Sequence, residues 1–117
     1  MNYLMIGAIS GCLVVIMGAF GAHTLNEILD DYGKSIYNKA VLYHMFHSIA
    51  ILILGLINKI QPEIPLCMSG WSFLFGIILF SGSLYILAIT GIKSLGMITP
   101  IGGIFFIIGW IFLFLKV

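Results

Sequence analysis

Tyr43-His44-Met45-Phe46-His47 sets two histidines one helical turn apart inside an apolar run that extends from Ile36 to Ile57. Such a run reads as a membrane-crossing helix, because about 20 apolar residues at a rise of about 1.5 Å each span a hydrocarbon core of about 30 Å. Ala40, His44, His47, Ser48, Ile51 and Gly55 fall on one helical stripe, while Val41, Leu42, Ile49, Leu52, Ile53 and Leu56 occupy the other faces. Polar side chains inside a bilayer face protein rather than lipid. The stripe therefore predicts neighbours, and the fold it predicts is an all-α membrane protein: four transmembrane helices in a compact bundle.

The composition agrees. Of 117 residues, 62% are hydrophobic and 8% charged, with five lysines, no arginine and four acids, and the mean hydropathy is +1.21. A soluble domain carries about a quarter of its residues charged, so the chain reads as one integral membrane domain. The net charge of +1 leaves no basic face for nucleic acid. Cys12 and Cys67 lack CxxC spacing and read as small buried hydrophobes.

The spans are expected at about 3–22, 36–57, 66–90 and 97–116. Met1-Asn2-Tyr3 carries no lysine or arginine, so the first span reads as a retained helix rather than a cleaved leader. Gly7, Gly11, Gly18 and Ala22 share one of its faces, where small residues admit a close helix partner. Gly21, Gly82, Gly102 and Gly103 complete the expected packing set, and a second copy of the chain or another membrane protein is compatible with it. Leu25, Ile28, Leu29, Tyr32 and Ile36 oppose Asn26, Glu27, Asp30, Asp31 and Lys34, which predicts a short amphipathic helix in the interface. Gly33 is expected to end it and Ser35 to cap the next span.

Thr99-Pro100 reads as a cap followed by proline in the first helical turn of the fourth span. Ahead of it, either Leu95 to Ile98 adds a turn above a kink, or Gly91 to Ile98 enters the protein as irregular backbone. Four spans put both termini on one side. End A carries the first and third connections with Lys34, Lys39 and Lys93; end B carries the termini with Lys59 and Lys116. The small lysine excess marks end A as cytoplasmic, and Tyr3, Trp71 and Trp110 fall toward end B as an aromatic belt.

Placed by depth, His23, His44, His47, Ser81, Ser83, Tyr85 and Thr99 gather in the leaflet of end A and form the candidate functional cluster. The other half offers Ser10, Ser69 and Ser72, each able to bond its own backbone. Three histidines can hold a metal ion, but no intramembrane carboxylate joins them. A haem needs a wide slot that a glycine-rich first helix does not leave. A proton relay through His47, Tyr85 and the serines is chemically available, whereas Ser81 or Ser83 as nucleophile lacks an acidic orienter for its base. A mutual hydrogen-bonded lock between helices accounts for all these residues, with no metal and no cofactor.

Gly18-Ala19-Phe20-Gly21-Ala22-His23, Ala40-Val41-Leu42-Tyr43 with His47, Leu79-Phe80-Ser81-Gly82-Ser83-Leu84-Tyr85, and Gly96 through Thr99-Pro100 to Gly102-Gly103 follow one another in order. In this the chain resembles, over essentially its whole length, the YgdD-like family of small membrane proteins, known as domain of unknown function 423. The resemblance implies a four-helix protein of the bacterial inner membrane and supplies no reaction. It matches family histidines at His23 and His47, whereas glutamine is as readily expected at His44. It also implies a link to membrane integrity and stress tolerance. The expected function is thus that of a non-enzymatic structural or accessory protein in the bilayer; the alternative is a transporter or channel component for a small solute or proton.

Overall fold

Asn2 opens the first helix, its side-chain oxygen accepting the Met5 amide at 3.1 Å. In the computed structural model, which describes residues 1–117, α1 (Tyr3–His23) leads through a single 3-10 turn, Leu25–Glu27, into α2 (Asp31–Ile60). A short turn joins α2 to α3 (Cys67–Thr90), which ends where Gly91 takes the left-handed conformation at φ 71 that glycine alone adopts cheaply. A second 3-10 turn, Lys93–Met97, precedes α4 (Thr99–Lys116). All four helices are long and apolar enough to cross a membrane.

Several sequence expectations change here. The interfacial helix shrinks to the Leu25–Glu27 turn, because the chain from Asp31 onward, with Tyr32, Lys34 and Ile36, belongs to α2. Asp30, not Ser35, caps α2: its carboxylate accepts the Gly33 amide at 2.7 Å. Gly33 is helical and buried, and a Cβ there would stand 3.0 Å from the capping Asp30 carboxylate and at an ordinary contact distance, 3.5 Å, from the Ala88 carbonyl of α3. Thr99 is the first residue of α4 rather than its cap, and no side chain caps that helix. The Lys93–Met97 turn contains no buried residue, so the segment before α4 lies at the surface of end A instead of entering the protein. Cys12 and Cys67 are both exposed rather than buried.

The helices alternate in direction, and each packs chiefly on the next in sequence. Consequently α2 and α3 are the inner helices, with 44% of their apolar windows buried, while α1 and α4 flank them with 17%. The Cα extents of 48 × 26 × 17 Å describe a flattened bundle. Glycines set the spacing: Gly7 faces Leu52 and Gly55 faces Leu4 between α1 and α2, while a Cβ at Gly102 would strike the Phe80 backbone of α3. Gly21, Gly70, Gly76 and Gly109 are further close-contact positions. Gly11 meets nothing within 4 Å, and Gly18, Gly82 and Gly103 have no neighbour nearer than 3.8 Å.

Two apolar cores result. Tyr3, Ile51, Leu54, Leu66, Phe73 and Phe106 are central to the one toward end B. Leu25, Ile36, Tyr37, Ala40, Leu84 and Leu87 fill the one toward end A. Between them lies a layer of buried polar side chains. It sits near the middle of α2 rather than in the leaflet of end A. The reason is the early start of α2 at Asp31, which lifts Lys39 two turns into the helix and places His44 about 20 Å along it.

Candidate functional site

Helical spacing brings the layer together. Gly7, Ser10 and Val14 are buried on the same side of α1, and Ser10 meets the stripe of α2 that carries His44 and Ser48. On α3 the backbone makes a π turn at Ile77–Ser81, whose extra residue aims the fully buried Ser81 at α2. The Ser81 hydroxyl donates to the Ala40 carbonyl at 2.8 Å. One turn further on, the Tyr85 hydroxyl meets His44 Nδ1 at 2.9 Å.

Donor counting fixes the direction of every bond around His44. The Ser48 hydroxyl donates its single hydrogen to the His44 carbonyl at 2.7 Å. In the 2.6 Å contact between Ser10 and Ser48, Ser10 is therefore the donor. With that hydrogen used, the 3.1 Å contact between His44 Nε2 and Ser10 runs from nitrogen to oxygen. A neutral imidazole protonated at Nε2 has an open Nδ1, and Tyr85 donates to it. An imidazolium at this depth would have no counter-ion, a costly state in hydrocarbon. The chain thus runs one way, from Tyr85 through His44, Ser10 and Ser48, and ends on the His44 backbone carbonyl.

His47 is held in the opposite tautomer. The Trp110 indole, which can only donate, gives its N–H to His47 Nε2 at 3.0 Å. The proton on Nδ1 then goes to the Tyr43 carbonyl at 2.8 Å. The ring lies flat on Phe106, with centroids 3.5 Å apart and planes 9° from parallel. Trp110 is consequently tied to the core rather than to an interfacial belt, and Tyr3 is buried against Gly70. Of the three expected belt residues, Trp71 alone remains an exposed aromatic without a buried partner contact of this kind.

Ser83 donates to the Phe80 carbonyl at 3.0 Å and meets Thr99 at 2.6 Å, joining α3 to the start of α4. His23 stands apart: it is exposed in the last turn of α1 and bonds none of the others. The structure therefore joins His44 with Tyr85, and His47 with Trp110, where the sequence had favoured His47 with His23. Ser10, Ser48 and Trp110 were missing from the expected cluster. Ser48 lay on the polar stripe and Ser10 on the Gly7 face, so both were within reach of a spacing argument; Trp110 gave no such signal.

Both ring nitrogen lone pairs that a metal or haem iron would need are already occupied by hydrogen bonds, at His44 by Tyr85 and at His47 by Trp110. Neither Ser81 nor Ser83 contacts a histidine; each donates to a backbone carbonyl. Ser69 Oγ is the one buried side-chain polar atom without a partner. Two apolar grooves flank the layer. One of about 690 Å³ lies between α1 and α3 over Ser10, His44 and Tyr85. The other, of about 670 Å³, lies between α2 and α4 over His47 and Trp110.

Four apolar helices tied at mid-depth by paired polar side chains define a small multi-pass membrane protein. The chain belongs to the family described as "Protein of unknown function (DUF423)", whose model matches residues 17–103, the same family that the sequence blocks resemble. It is 47% identical over 111 residues to a UPF0382 membrane protein of Staphylococcus epidermidis, covering 95% of this chain and 90% of the relative. It is 48% identical over 114 residues to a UPF0382 membrane protein of Staphylococcus aureus, covering 97% and 93%. The UPF0382 membrane protein YwdK of Bacillus subtilis is 43% identical over 110 residues, covering 93% and 89%. No solved structure matches the chain.

Proposed function

We propose that this protein is a non-catalytic structural component of the bacterial plasma membrane that supports membrane integrity. In this reading both termini lie outside the cytoplasm and end A, with Lys34, Lys39 and Lys93, faces it. The observation that carries the proposal is the closure of the polar layer. Every hydrogen in the His44 chain is used, and the chain ends on a backbone carbonyl, an acceptor that cannot pass a proton onward. The grooves beside the layer are walled by apolar side chains, which suits acyl chains rather than a hydrated path.

The test pairs flux with stability. Purified protein in liposomes is expected to pass no more protons than empty liposomes, while His44→Ala and His47→Ala lower the unfolding temperature in detergent. Proton or solute flux through the wild-type protein that His44→Ala abolishes without lowering that temperature would instead establish transport. In cells, loss of the protein is expected to increase dye leakage across the membrane. A strain restored by wild type, and only weakly by His44→Ala, supports the structural role.

A further inference from the structure

At end A a polar notch of about 320 Å³ opens between the last turns of α1 and the first turns of α2. Gly18, Gly21 and Ala22 form its α1 wall, Lys34 and Asn38 its α2 wall, and Asn26 stands in the connecting turn. The notch exists because Gly21 lacks a side chain. A Cβ there would overlap the Tyr37 ring, which is held against α1 by the bond from its hydroxyl to the Met17 carbonyl at 2.5 Å. Gly18 keeps the lower edge open, since a Cβ would touch only Val41 at 3.8 Å.

The polar groups in this notch have no partners within the chain. The side chains of Lys34, Asn26 and Asn38 form none of the hydrogen bonds that hold the fold together. Lys34 is half-buried between the helices. Of the acids at the start of α2, the capping Asp30 accepts the Gly33 amide and lines a different pocket, and neither it nor Asp31 lines the notch. A partly buried lysine that ion-pairs with no acid of the chain favours an anion beside it. Two free amides add both donors and acceptors.

Below the notch the same sides of both helices become apolar and open. On α2, Met45 and Ile49 lie two and three turns beyond Asn38 and are 44% and 51% exposed. On α1, Val15 is 70% exposed, and the space beside Gly11 is empty to 4 Å. A charged, hydrogen-bonding pocket directly above a smooth apolar track has the division of a phospholipid, headgroup above acyl chain.

The geometry points to a binding site for an anionic glycerophospholipid, with the phosphate at Lys34, a glycerol headgroup between Asn26 and Asn38, and an acyl chain along Val15 and Met45. This inference rests on membrane placement alone and stands apart from the structural role proposed above. A choline headgroup fits poorly: its trimethylammonium donates no hydrogen bond and carries the same charge as Lys34.

Native mass spectrometry of the full-length protein in detergent tests the site, with phosphatidylglycerol, phosphatidylcholine or inorganic phosphate added. The wild-type protein is expected to retain one phosphatidylglycerol in preference to phosphatidylcholine. Lys34→Met is expected to weaken that retention about tenfold, the effect of losing one charge-assisted contact. Ala22→Phe, which fills the notch and keeps the charge, should weaken it as well, whereas Lys93→Met at the same end should not. Far-UV circular dichroism confirms that each variant is folded. Equal retention of the two lipids, an equal loss in Lys93→Met, or unchanged retention in folded Lys34→Met and Ala22→Phe overturns the site. Binding of inorganic phosphate as tight as that of the lipid overturns the lipid assignment.

Discussion

His44 and His47 are one turn apart in sequence, yet each is fixed in a different chemical form by its neighbours. Nitrogen-15 spectra of histidine-labelled protein are expected to show His44 protonated at Nε2 and His47 at Nδ1. Matching tautomers would contradict the donor count. The energetic weight of the pair His44–Tyr85 is measurable by a double-mutant cycle with His44→Ala and Tyr85→Phe. A coupling of about 0.6 kcal/mol, and no more than about 1.7 kcal/mol, is expected, as for other hydrogen bonds between helices in membranes. Zero coupling would remove Tyr85 from the layer. Trp110→Phe leaves His47 Nε2 without its donor while keeping the contact of the aromatic ring with Phe73, whose centroid lies 4.9 Å away. It should destabilise by about 1–3 kcal/mol, the cost of an orphaned buried acceptor, read as a fall in unfolding temperature.

At the scale of elements, glycine matters where backbones touch rather than wherever it recurs. Gly102→Ala forces a methyl group into the Phe80 backbone, which cannot swing aside as a side chain would. A loss of about 1–3 kcal/mol is expected from such overpacking. Gly11→Ala, in empty space, should be neutral or should stabilise α1 by up to about 1 kcal/mol through helix propensity. Thermal unfolding of the two variants side by side distinguishes these outcomes, and equal losses would show that Gly11 has a partner. The spacing of Gly7 and Gly11 alone could not separate them, because a GxxxG pattern records which residues share a face and not how near the next helix comes. The start of α2 was legible in principle from Asp30 and Asp31. It was obscured by Gly33, a residue that commonly interrupts a helix but here lies in the first turn of α2, where the Asp30 carboxylate accepts its amide. The π turn left no trace in the sequence, since an extra residue in a helix alters no apolar pattern long enough to be seen.

Across the whole molecule, span number and class followed from composition and from uncharged runs, because a bilayer admits few other solutions. Partnership did not follow. Depth arguments placed His44 and His47 in the same leaflet as His23 because the start of α2 was set too late, and the family resemblance then paired His23 with His47. The full length of α2 puts His44 and His47 near its middle with Ser10 and Ser81. The alternating helices also make a topological prediction. Reporter enzymes active only outside the cytoplasm should work when fused at either terminus, and cysteines placed at Lys93 should react only with a thiol reagent that enters the cell. The opposite pattern would invert the orientation while leaving the fold unchanged.

The mid-depth layer has one more consequence, for how the helices find one another after insertion. In hydrocarbon, isoleucine and leucine faces are equally at ease against lipid or protein, so apolar contact alone discriminates little between one sliding position and the next. A slip of α1 by one residue against α2 would swing Ser10 by about 100°, leaving Ser48 and the His44 Nε2 hydrogen without their partners. The layer thereby acts as a key for alignment. It rejects near-miss pairings that the surrounding side chains would accept, and a chain with few polar atoms spends them where they select one arrangement among many similar ones.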